Sequence, residues 1–277
     1  KMDKQKVIIS ENLQSVLARE VGLLEHDRTA ILTDETTASL CFPLIKDHPA
    51  LNGAHHINIG ATDSNKTLDT LAKVWQGLQE AGFAASTFKR GIKFINIPTT
   101  LLAMVDASVG GKTGINFGGL KNEIGVFNNA DCVILDTEFL KTMDSENICS
   151  GYAEMLKHGL ISNDGMWAEL LSFDIHNPDL RRLGRMVSDS VAVKQRIVLE
   201  DPLEHGIRKA LNLGHTMGHA FESWALKRQP VLHGYAVAWG IIGELYLAAV
   251  KTGFPTDKMH QTVSYIKEHY GKLPVTC

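Results

Sequence analysis

The sequence lacks the features that mark secreted, membrane and nucleic-acid-binding proteins. Its four cysteines are scattered and form no CxxC pair, which excludes a disulfide-rich framework and favours a reducing, cytoplasmic setting. Its longest apolar run, 235–250, contains Glu244 and two glycines, falls short of a membrane span and predicts a buried helix. The net charge of −3 and the pI of about 6.5 indicate neither nucleic acid nor an anionic membrane as a partner.

The composition is that of an ordinary soluble globular protein. At 277 residues with 44% hydrophobic content, the chain can bury one large or two medium cores. Short β-branched runs alternate with helical periodicity in the first 136 residues and predict βαβ units with a mainly parallel sheet. The predicted strands are 7–9, 30–33, 56–59, 92–97 and 132–135, and the predicted helices between them are 11–21 and 65–80.

From residue 145 onward the pattern is almost wholly helical. The predicted helices are 146–161, 166–173, 178–199, 208–224, 235–252 and 256–270. We therefore expect an α/β domain over 1–144, followed by an all-helical domain over 145–277.

One helical stretch, 210–222, has side chains suited to a metal. His215 and His219 are four residues apart and share a helix face, a spacing at which two imidazoles can hold Zn²⁺. Two histidines satisfied at a helix interface give the same pattern. Glu154 lies on another predicted helix, and His233 opens a third. A carboxylate with two imidazoles is the composition of a catalytic zinc site.

A second stretch, 97–116, is suited to an anion. A predicted strand ends at Pro98, and the threonines that follow offer hydroxyl and backbone N–H groups at a helix start. The segment 110–113 (GGKT) resembles half of a phosphate loop, but Asp106 replaces the first glycine, which excludes a nucleoside triphosphatase. The sequence has no GxGxxG motif, so any dinucleotide would bind without that fingerprint.

Two aspartates follow predicted strands of the first domain. Asp34 closes the second strand, and Asp63 comes shortly after the third. Ligands bind at the carboxyl ends of parallel strands, so either side chain could meet a cofactor. A helix N-cap or a turn explains each aspartate equally well.

Five motifs resemble the 3-dehydroquinate synthase family of sugar-phosphate cyclases, in the same order. They are IPTTLLAMVDASVGGKTGIN (97–116), LKNEIGVF (120–127), GYAEMLKHGLI (151–161), GIRKALNLGHTMGHAFES (206–223) and LHGYAVAWG (232–240). The resemblance implies a Rossmann-like NAD-binding domain followed by a helical metal- and substrate-binding domain. It also implies a lyase of the shikimate pathway that converts 3-deoxy-D-arabino-heptulosonate 7-phosphate to 3-dehydroquinate and phosphate. The steps implied are transient oxidation by NAD, phosphate elimination, re-reduction and aldol closure.

The resemblance assigns roles to individual residues. Glu154, His215 and His233 would bind Zn²⁺ or Co²⁺, whereas His219 would meet the substrate near its phosphate instead of the metal. Arg90 would reach the site of a second subunit, which implies a homodimer. The implied catalytic residues are Asp106, Lys112, Asn122, Lys157, Lys194, Arg208, Asn212, His219 and Arg90. The implied NAD-binding residues are Asp34, Asp63, Lys66, Thr99, Thr100, Lys112, Lys121, Phe139 and Thr142.

The sequence departs from the family's pattern at three points. Asp63 stands where the family usually has glutamate. Between 78–82 and 83–90 the family has another strand and a GGG turn that receives the NAD pyrophosphate, and this segment is absent. The family also continues past the position of Cys277 into a region with a phosphate-binding lysine. We expect that the full protein has these segments and that the direct join near 82–83 is artificial. A protein that truly lacked the GGG turn is expected to hold NAD poorly and to be inactive.

Three other functions stay open on the sequence. Another cyclase, such as an inosose or valiolone synthase, would share the motifs, although Arg208 and Asn212 suit a substrate with a carboxylate. A metal-dependent polyol dehydrogenase would share the architecture but would release NADH as a product. A non-catalytic relative kept for binding would not need the complete set of metal-site and lysine side chains.

Overall fold

The computed structural model describes residues 5–80, 91–226 and 228–273, which form two compact units. The sheet unit comprises Gln5–Thr99 and Ser108–Thr142. The helical unit comprises Thr100–Ala107 and the chain from Met143 onward. The sequence pattern gave no sign that Thr100–Ala107 packs with the helices, and the predicted domain boundary after residue 144 stays a prediction.

The sheet unit has a mainly parallel arrangement, as predicted. Strand β7 pairs in parallel with β1 on one side and β4 on the other, and β2 pairs in parallel with β3. The strands are β1 Val7–Ile9, β2 Ala30–Asp34, β3 His55–Ile59, β4 Ile95–Asn96, β5 Ile115–Phe117, β6 Leu120–Ile124 and β7 Cys132–Leu135. The helices are α1 Leu13–Leu23, α2 Glu35–Leu40 and α3 Leu68–Glu80.

The antiparallel hairpin β5–β6 was not predicted. Every residue of β6 is exposed, so the strand has no buried face to produce an alternating hydrophobic pattern. Its turn is made by Gly118 and Gly119, with φ of 59° and 82°, which glycine adopts without steric strain. Helix α2 was also missed, because it has only six residues and none of them is buried.

Packing in the sheet unit brings two strand ends to one edge. Ile57 on β3 packs against Val74 and Leu78 on α3 in a small buried cluster. In the β2–β3 register, Asp34 pairs with Ile59, so the segment that leads to Asp63 leaves the same edge at which Asp34 ends β2. This is the edge where parallel sheets bind ligands.

The helical unit contains all six of the long helices predicted after residue 145. They are α4 Ser145–Leu160, α5 Asp164–Leu171, α6 Leu180–Glu200, α7 His215–Leu226, α8 His233–Thr252 and α9 Thr256–Tyr270. A π-helical segment, Ala103–Ala107, and a 3₁₀ segment, Ile207–Asn212, complete the unit. The predicted start of α7 at residue 208 was too early. Gly214 has a φ of 82°, which separates the 3₁₀ segment from α7.

Helix α8 contains the longest apolar run, and only its first half is buried as predicted. Tyr246, Leu247 and Val250 near its C-terminus are 46–63% exposed. Among the residues that the structure describes, no helix combines the length and the apolar character that a bilayer span requires. Cys41, Cys132 and Cys149 are buried free thiols.

Helix α4 is the centre of the helical unit. All residues from Ile148 to Gly159 are buried, so neighbouring elements cover every face of the helix over three turns. Tyr152 donates a hydrogen bond to the Leu170 carbonyl at 2.8 Å. A Cβ atom on Gly151 would lie 2.5 Å from the Leu102 backbone nitrogen, so only glycine allows the segment Thr100–Ala107 to approach this closely.

We expect Gly151→Ala to destabilise the protein by about 1–3 kcal/mol, because the new methyl group overlaps backbone atoms that cannot move independently. Chemical denaturation measures the free energy of unfolding. Gly22→Ala is the matched control, since nothing lies within 4 Å of its Cβ position in α1 and alanine favours the helix. Equal stability of the two variants would contradict the close packing at Gly151.

Candidate metal and substrate site

The centre of the site is the carboxylate of Glu154 on α4. Its side chain is 0% exposed. Oxygen Oε1 lies 3.5 Å from His215 Nε2 and 3.6 Å from His233 Nε2, and it has no hydrogen-bond partner among the described residues. A buried carboxylate oxygen without a partner costs free energy, so its position between two imidazole nitrogens requires an explanation.

His215 is the first residue of α7, and His233 is the first residue of α8. The other ring nitrogen of each histidine has an acceptor nearby. His215 Nδ1 lies 3.2 Å from the Leu213 carbonyl oxygen, and His233 Nδ1 lies 3.5 Å from Glu222 Oε2. In the neutral imidazole, a proton on Nδ1 leaves the Nε2 lone pair directed at the point near Glu154, which is the usual arrangement around a metal-binding histidine.

The donor set and its spacing fit a divalent metal. Bonds of 2.0–2.1 Å in tetrahedral geometry place neighbouring donor atoms about 3.3 Å apart, close to both distances from Glu154 Oε1. Burial opposes the charged form of both imidazoles and lowers the pKa of His215. The carboxylates of Glu154 and Glu222 outweigh burial at His233 and raise its pKa to about 9 in the metal-free protein.

His219 lies next to these ligand candidates but differs from them in exposure. A ring nitrogen from each of His215, His219 and His233 lies within 4.8 Å of the other two. His219 is exposed, whereas Glu154 is completely buried. The shared helix face predicted for His215 and His219 is therefore present, and the exposed His219 can reach a molecule in solution.

Two ion pairs surround the candidate metal position. Lys157 pairs with Glu154 Oε2 one turn along α4, and Lys194 on α6 donates to Asp106 Oδ1. Burial raises the pKa of Glu154, but the Lys157 ammonium outweighs it and lowers that pKa to about 2. The ammonium groups likewise hold the pKa of Asp106 below its usual value. The two carboxylates and two ammonium groups cancel in charge.

His158 is a residue of this cluster that the sequence did not single out. It is fully buried, and its Nδ1 lies 2.6 Å from Ser190 Oγ on α6. A ligand atom from each of Asp106, Glu154 and His158 lies within 4.8 Å of the other two. Burial beside Lys157 lowers the pKa of His158 to about 3, so it is neutral. Its position four residues after Glu154, on the same helix face, was the available signal.

Arg208 and Asn212 lie on the 3₁₀ segment that precedes α7. Arg208 is 2% exposed, and its Nη1 donates to the Pro202 carbonyl at 2.6 Å. Asn212 donates to Glu204 Oε1 at 2.8 Å. A shallow pocket of about 780 Å³, open to solvent, lies beside Asn212. Arg208 and Asn212, both predicted to bind substrate, therefore each have a hydrogen-bond partner within the protein.

The sheet unit brings together a separate group of predicted residues. Lys66 donates to Asn122 Oδ1, and Lys121 Nζ lies 3.4 Å from Asp63 Oδ2. Asn116, which the sequence did not single out, holds this group: its side-chain amide donates to the Asp63 carbonyl at 3.0 Å. The four predicted side chains therefore form two contacting pairs, which Asn116 links by also accepting the Asn122 N–H at 3.0 Å.

The remaining predicted NAD-binding residues are dispersed within the two units. Asp34 Oδ1 accepts the Thr37 backbone N–H at 2.7 Å and so caps α2, one of the two roles expected for it. Thr100 in the helical unit caps the following turn through Ala103 N at 3.2 Å. In the sheet unit, Lys112 forms an isolated β-bridge, Thr99 is partly buried, and Phe139 is buried and accepts a hydrogen bond from Thr142. Arg90 lies outside the described residues.

Two protein-family models match the chain. Residues 77–150 match the model described as 3-dehydroquinate synthase N-terminal. Residues 151–277 match the model described as 3-dehydroquinate synthase C-terminal. Together these matches cover well over half of the chain. The chain belongs to the 3-dehydroquinate synthase family.

A curated family member is the 3-dehydroquinate synthase of Parabacteroides distasonis. It is 50% identical over 297 residues, a span that includes 100% of this chain and 84% of that protein. The aligned span exceeds the 277 residues of the chain, so the Parabacteroides protein has residues without a counterpart here. The predicted position of the absent segment, near 82–83, lies outside the described residues.

Two solved structures show the same fold at low sequence identity. A 2-deoxy-scyllo-inosose synthase complexed with carbaglucose-6-phosphate, NAD⁺ and Co²⁺ superimposes with a TM-score of 0.83 at 20% identity, covering 96% of this chain and 79% of that one. A 2-epi-5-epi-valiolone synthase from Streptomyces hygroscopicus subsp. jinggangensis 5008, with NAD⁺ and Zn²⁺ bound, gives a TM-score of 0.71 at 22% identity. It covers 98% of this chain and 89% of that chain. The predicted cyclase fold is thus confirmed.

We expect Lys157→Met to destabilise the metal-free protein by about 3 kcal/mol, because the Glu154 carboxylate loses its ammonium partner while it stays buried. A loss of about 3 kcal/mol is the lower end of the usual cost of breaking a buried ion pair, because His233 still faces the Glu154 carboxylate. The double variant Glu154→Gln/Lys157→Met removes both charges and should recover most of the loss, as measured by urea unfolding with a chelator present. A single variant as stable as the wild type would contradict this pairing.

Proposed function

We propose that this protein catalyses the 3-dehydroquinate synthase reaction. It would convert 3-deoxy-D-arabino-heptulosonate 7-phosphate to 3-dehydroquinate and phosphate. The observation that carries the proposal is the buried, unsatisfied Glu154 oxygen between two histidine nitrogens, in a chain of this family. A divalent cation that binds oxygen and nitrogen ligands together would satisfy this oxygen, which is the role of the metal in such an enzyme.

Glu154, His215 and His233 are the proposed ligands of Zn²⁺ or Co²⁺. Imidazole and carboxylate suit either ion, and cyclases of the same fold carry Co²⁺ or Zn²⁺. When bound, the metal would lower the pKa of a substrate hydroxyl and so prepare it for oxidation. Helix α4 fixes the Glu154 carboxylate, and the acceptors at each Nδ1 hold the two rings in the ligating orientation.

The charges of the site support an anionic substrate. Asp106 and Glu154 are matched by Lys194 and Lys157, and the Glu222 carboxylate lies beside His233, so a divalent metal would leave an excess of one positive charge. A substrate with a carboxylate and a phosphate would compensate this excess, whereas a neutral polyol would not. We assign the exposed His219 to the phosphate.

The remaining substrate contacts are proposals from the family's motifs. Arg208 would bind the substrate carboxylate through its guanidinium fork after exchanging its Pro202 contact. Asn212 would donate a hydrogen bond to the substrate. Lys112 and Asn122 of the sheet unit keep their predicted roles, and Arg90 its role in a partner subunit, so a cytoplasmic homodimer remains part of the proposal.

NAD would bind the sheet unit at the carboxyl ends of its parallel strands. Bound NAD would accept a hydride from the substrate and return it within the same turnover. Asp34 ends β2 at this edge, and Asp63, Lys66 and Lys121 lie within one network of contacts. Thr99, Thr100, Lys112, Phe139 and Thr142 complete the proposed NAD-binding set.

The activity is tested by following phosphate release from 3-deoxy-D-arabino-heptulosonate 7-phosphate with NAD⁺ and Zn²⁺ present. We expect phosphate without accumulation of NADH, because the hydride returns to the intermediate. The activity should be lost on chelation and in His215→Ala. His260→Ala on the exposed face of α9 is the matched control and should keep full activity.

Other outcomes of that assay identify other functions. NADH that accumulates in step with substrate consumption would assign a metal-dependent dehydrogenase. Phosphate release from a sugar phosphate without a carboxylate, and none from the heptulosonate, would assign another cyclase. Absence of both products with every substrate would overturn the enzyme assignment for a chain that lacks the GGG turn.

The proposed role of Asp34 can be separated from its capping role. In Asp34→Ser the hydroxyl can still cap α2, so stability should change by less than about 0.5 kcal/mol while NADH binding weakens. Asp34→Ala removes both functions and should also cost about 1 kcal/mol of stability. NADH fluorescence titration and thermal unfolding measure the two effects. If Asp34→Ser binds NADH as tightly as the wild type, Asp34 is a helix cap alone.

A further inference from the structure

Helix α7 begins without a capping side chain of its own. The residue at its N-cap position is Gly214, which has no side chain to accept the free N–H groups of the first turn. Those N–H groups normally donate a hydrogen bond to the side-chain oxygen of a serine, threonine, aspartate or asparagine at the N-cap position. The first residue of this helix is His215, a proposed metal ligand, so the position of the first turn decides where the imidazole points.

The missing acceptor comes from the neighbouring helix. Glu244 lies halfway along α8, and its carboxylate reaches across to the start of α7. Oxygen Oε2 accepts the Gly214 N–H at 2.7 Å, and Oε1 accepts the Met217 N–H at 3.3 Å. The two bonds bracket His215 in the chain, so one carboxylate fixes the backbone on both sides of the ligand. A negative charge at this helix end is also favoured by the helix dipole.

Close backbone packing makes this contact rigid. A Cβ atom on Gly240 would lie 2.0 Å from the Gly214 carbonyl oxygen, so the start of α7 rests directly on the α8 backbone. Gly214 itself has a φ of 82°, a conformation that side chains disfavour. Helix α8 thus supplies His233 at its first residue and, through Glu244, also fixes the helix that carries His215.

We propose that Glu244 is a positioning residue for the metal site. Its carboxylate holds the first turn of α7 so that His215 Nε2 faces Glu154 before any metal binds. Glu244 belongs to neither cluster of potential metal ligands in the described part of the chain, so it acts through the backbone. The inference rests on the proposed metal site. Its consequence is a dependence of metal affinity on a side chain that does not contact the metal.

The test is the affinity of the full chain for Co²⁺ and Zn²⁺, measured by competition with a chelator. In Glu244→Gln the amide nitrogen replaces one acceptor oxygen and faces a backbone N–H, so one of the two hydrogen bonds is lost. We expect metal affinity to fall about 10- to 100-fold, the usual effect of losing a group that orients a ligand. The visible absorption of bound Co²⁺ should also shift as the His215 ligand moves.

Asp179→Asn is the matched control. Asp179 caps α6 by accepting the backbone N–H groups of Arg181 and Arg182, and α6 carries no proposed metal ligand. Asp179→Asn makes the same acid-to-amide change but keeps the Oδ1 acceptor of both bonds, so it should change neither metal affinity nor the Co²⁺ spectrum and should alter the melting temperature little. Glu244→Asp keeps both oxygens on a shorter side chain and provides a milder variant if Glu244→Gln does not fold; it should give a smaller loss of affinity.

Two negative results have different meanings. If wild-type protein binds metal and either Glu244 variant binds it equally well, Glu244 is only a helix cap and the inference is wrong. If wild-type protein binds neither metal, or binds it equally well after His215→Ala, the proposed metal site is wrong and the inference is overturned with it.

Discussion

Burial of an ion pair on helix α4 is the constraint on which the helical unit depends. Glu154 and Lys157 are 0% and 1% exposed, and removing two such charges from water costs several kcal/mol per ion. Their mutual attraction offsets this cost only if the surrounding groups are also satisfied. Lys194 and Asp106 supply a second pair beside the first, so the cluster as a whole is neutral.

Close helix packing follows from the same constraint. The buried ion pair needs close packing around it, and glycines allow this where larger residues would hold the backbones apart. A Cβ atom on Gly234 would lie 1.8 Å from the Ser150 carbonyl oxygen, and Ser150 Oγ accepts the Gly234 N–H at 3.0 Å. The first turn of α8 is therefore fixed against the middle of α4, which brings His233 to Glu154.

Much of the fold could be predicted from the sequence, because hydrophobic periodicity marks long and buried elements. The five predicted strands and all six late helices are present, and the family and fold are confirmed. The hairpin β5–β6 could not be predicted, since its outer strand has no buried face. The membership of Thr100–Ala107 in the helical unit depends on long-range packing, which leaves no local pattern.

Prediction of the site from the sequence has the same limit. Motifs identified Glu154, His215 and His233 as a set, and the structure brings their side chains together. The contributions of His158 and Glu244 were missed, because each depends on a contact between helices that are distant in sequence. Residues in recognisable motifs could be found from the sequence, whereas the residues that orient them could be found only from the packing.

The path of the chain has a consequence for dividing this protein into fragments. The chain enters the helical unit at Thr100–Ala107, returns to the sheet unit, and enters the helical unit again at Met143. A fragment expressed from residue 145 would retain Lys194 and lose Asp106, leaving a buried ammonium group without its carboxylate. The helical unit is therefore not a transferable module, and a shuffled or split version would need the eight-residue segment 100–107 supplied with it.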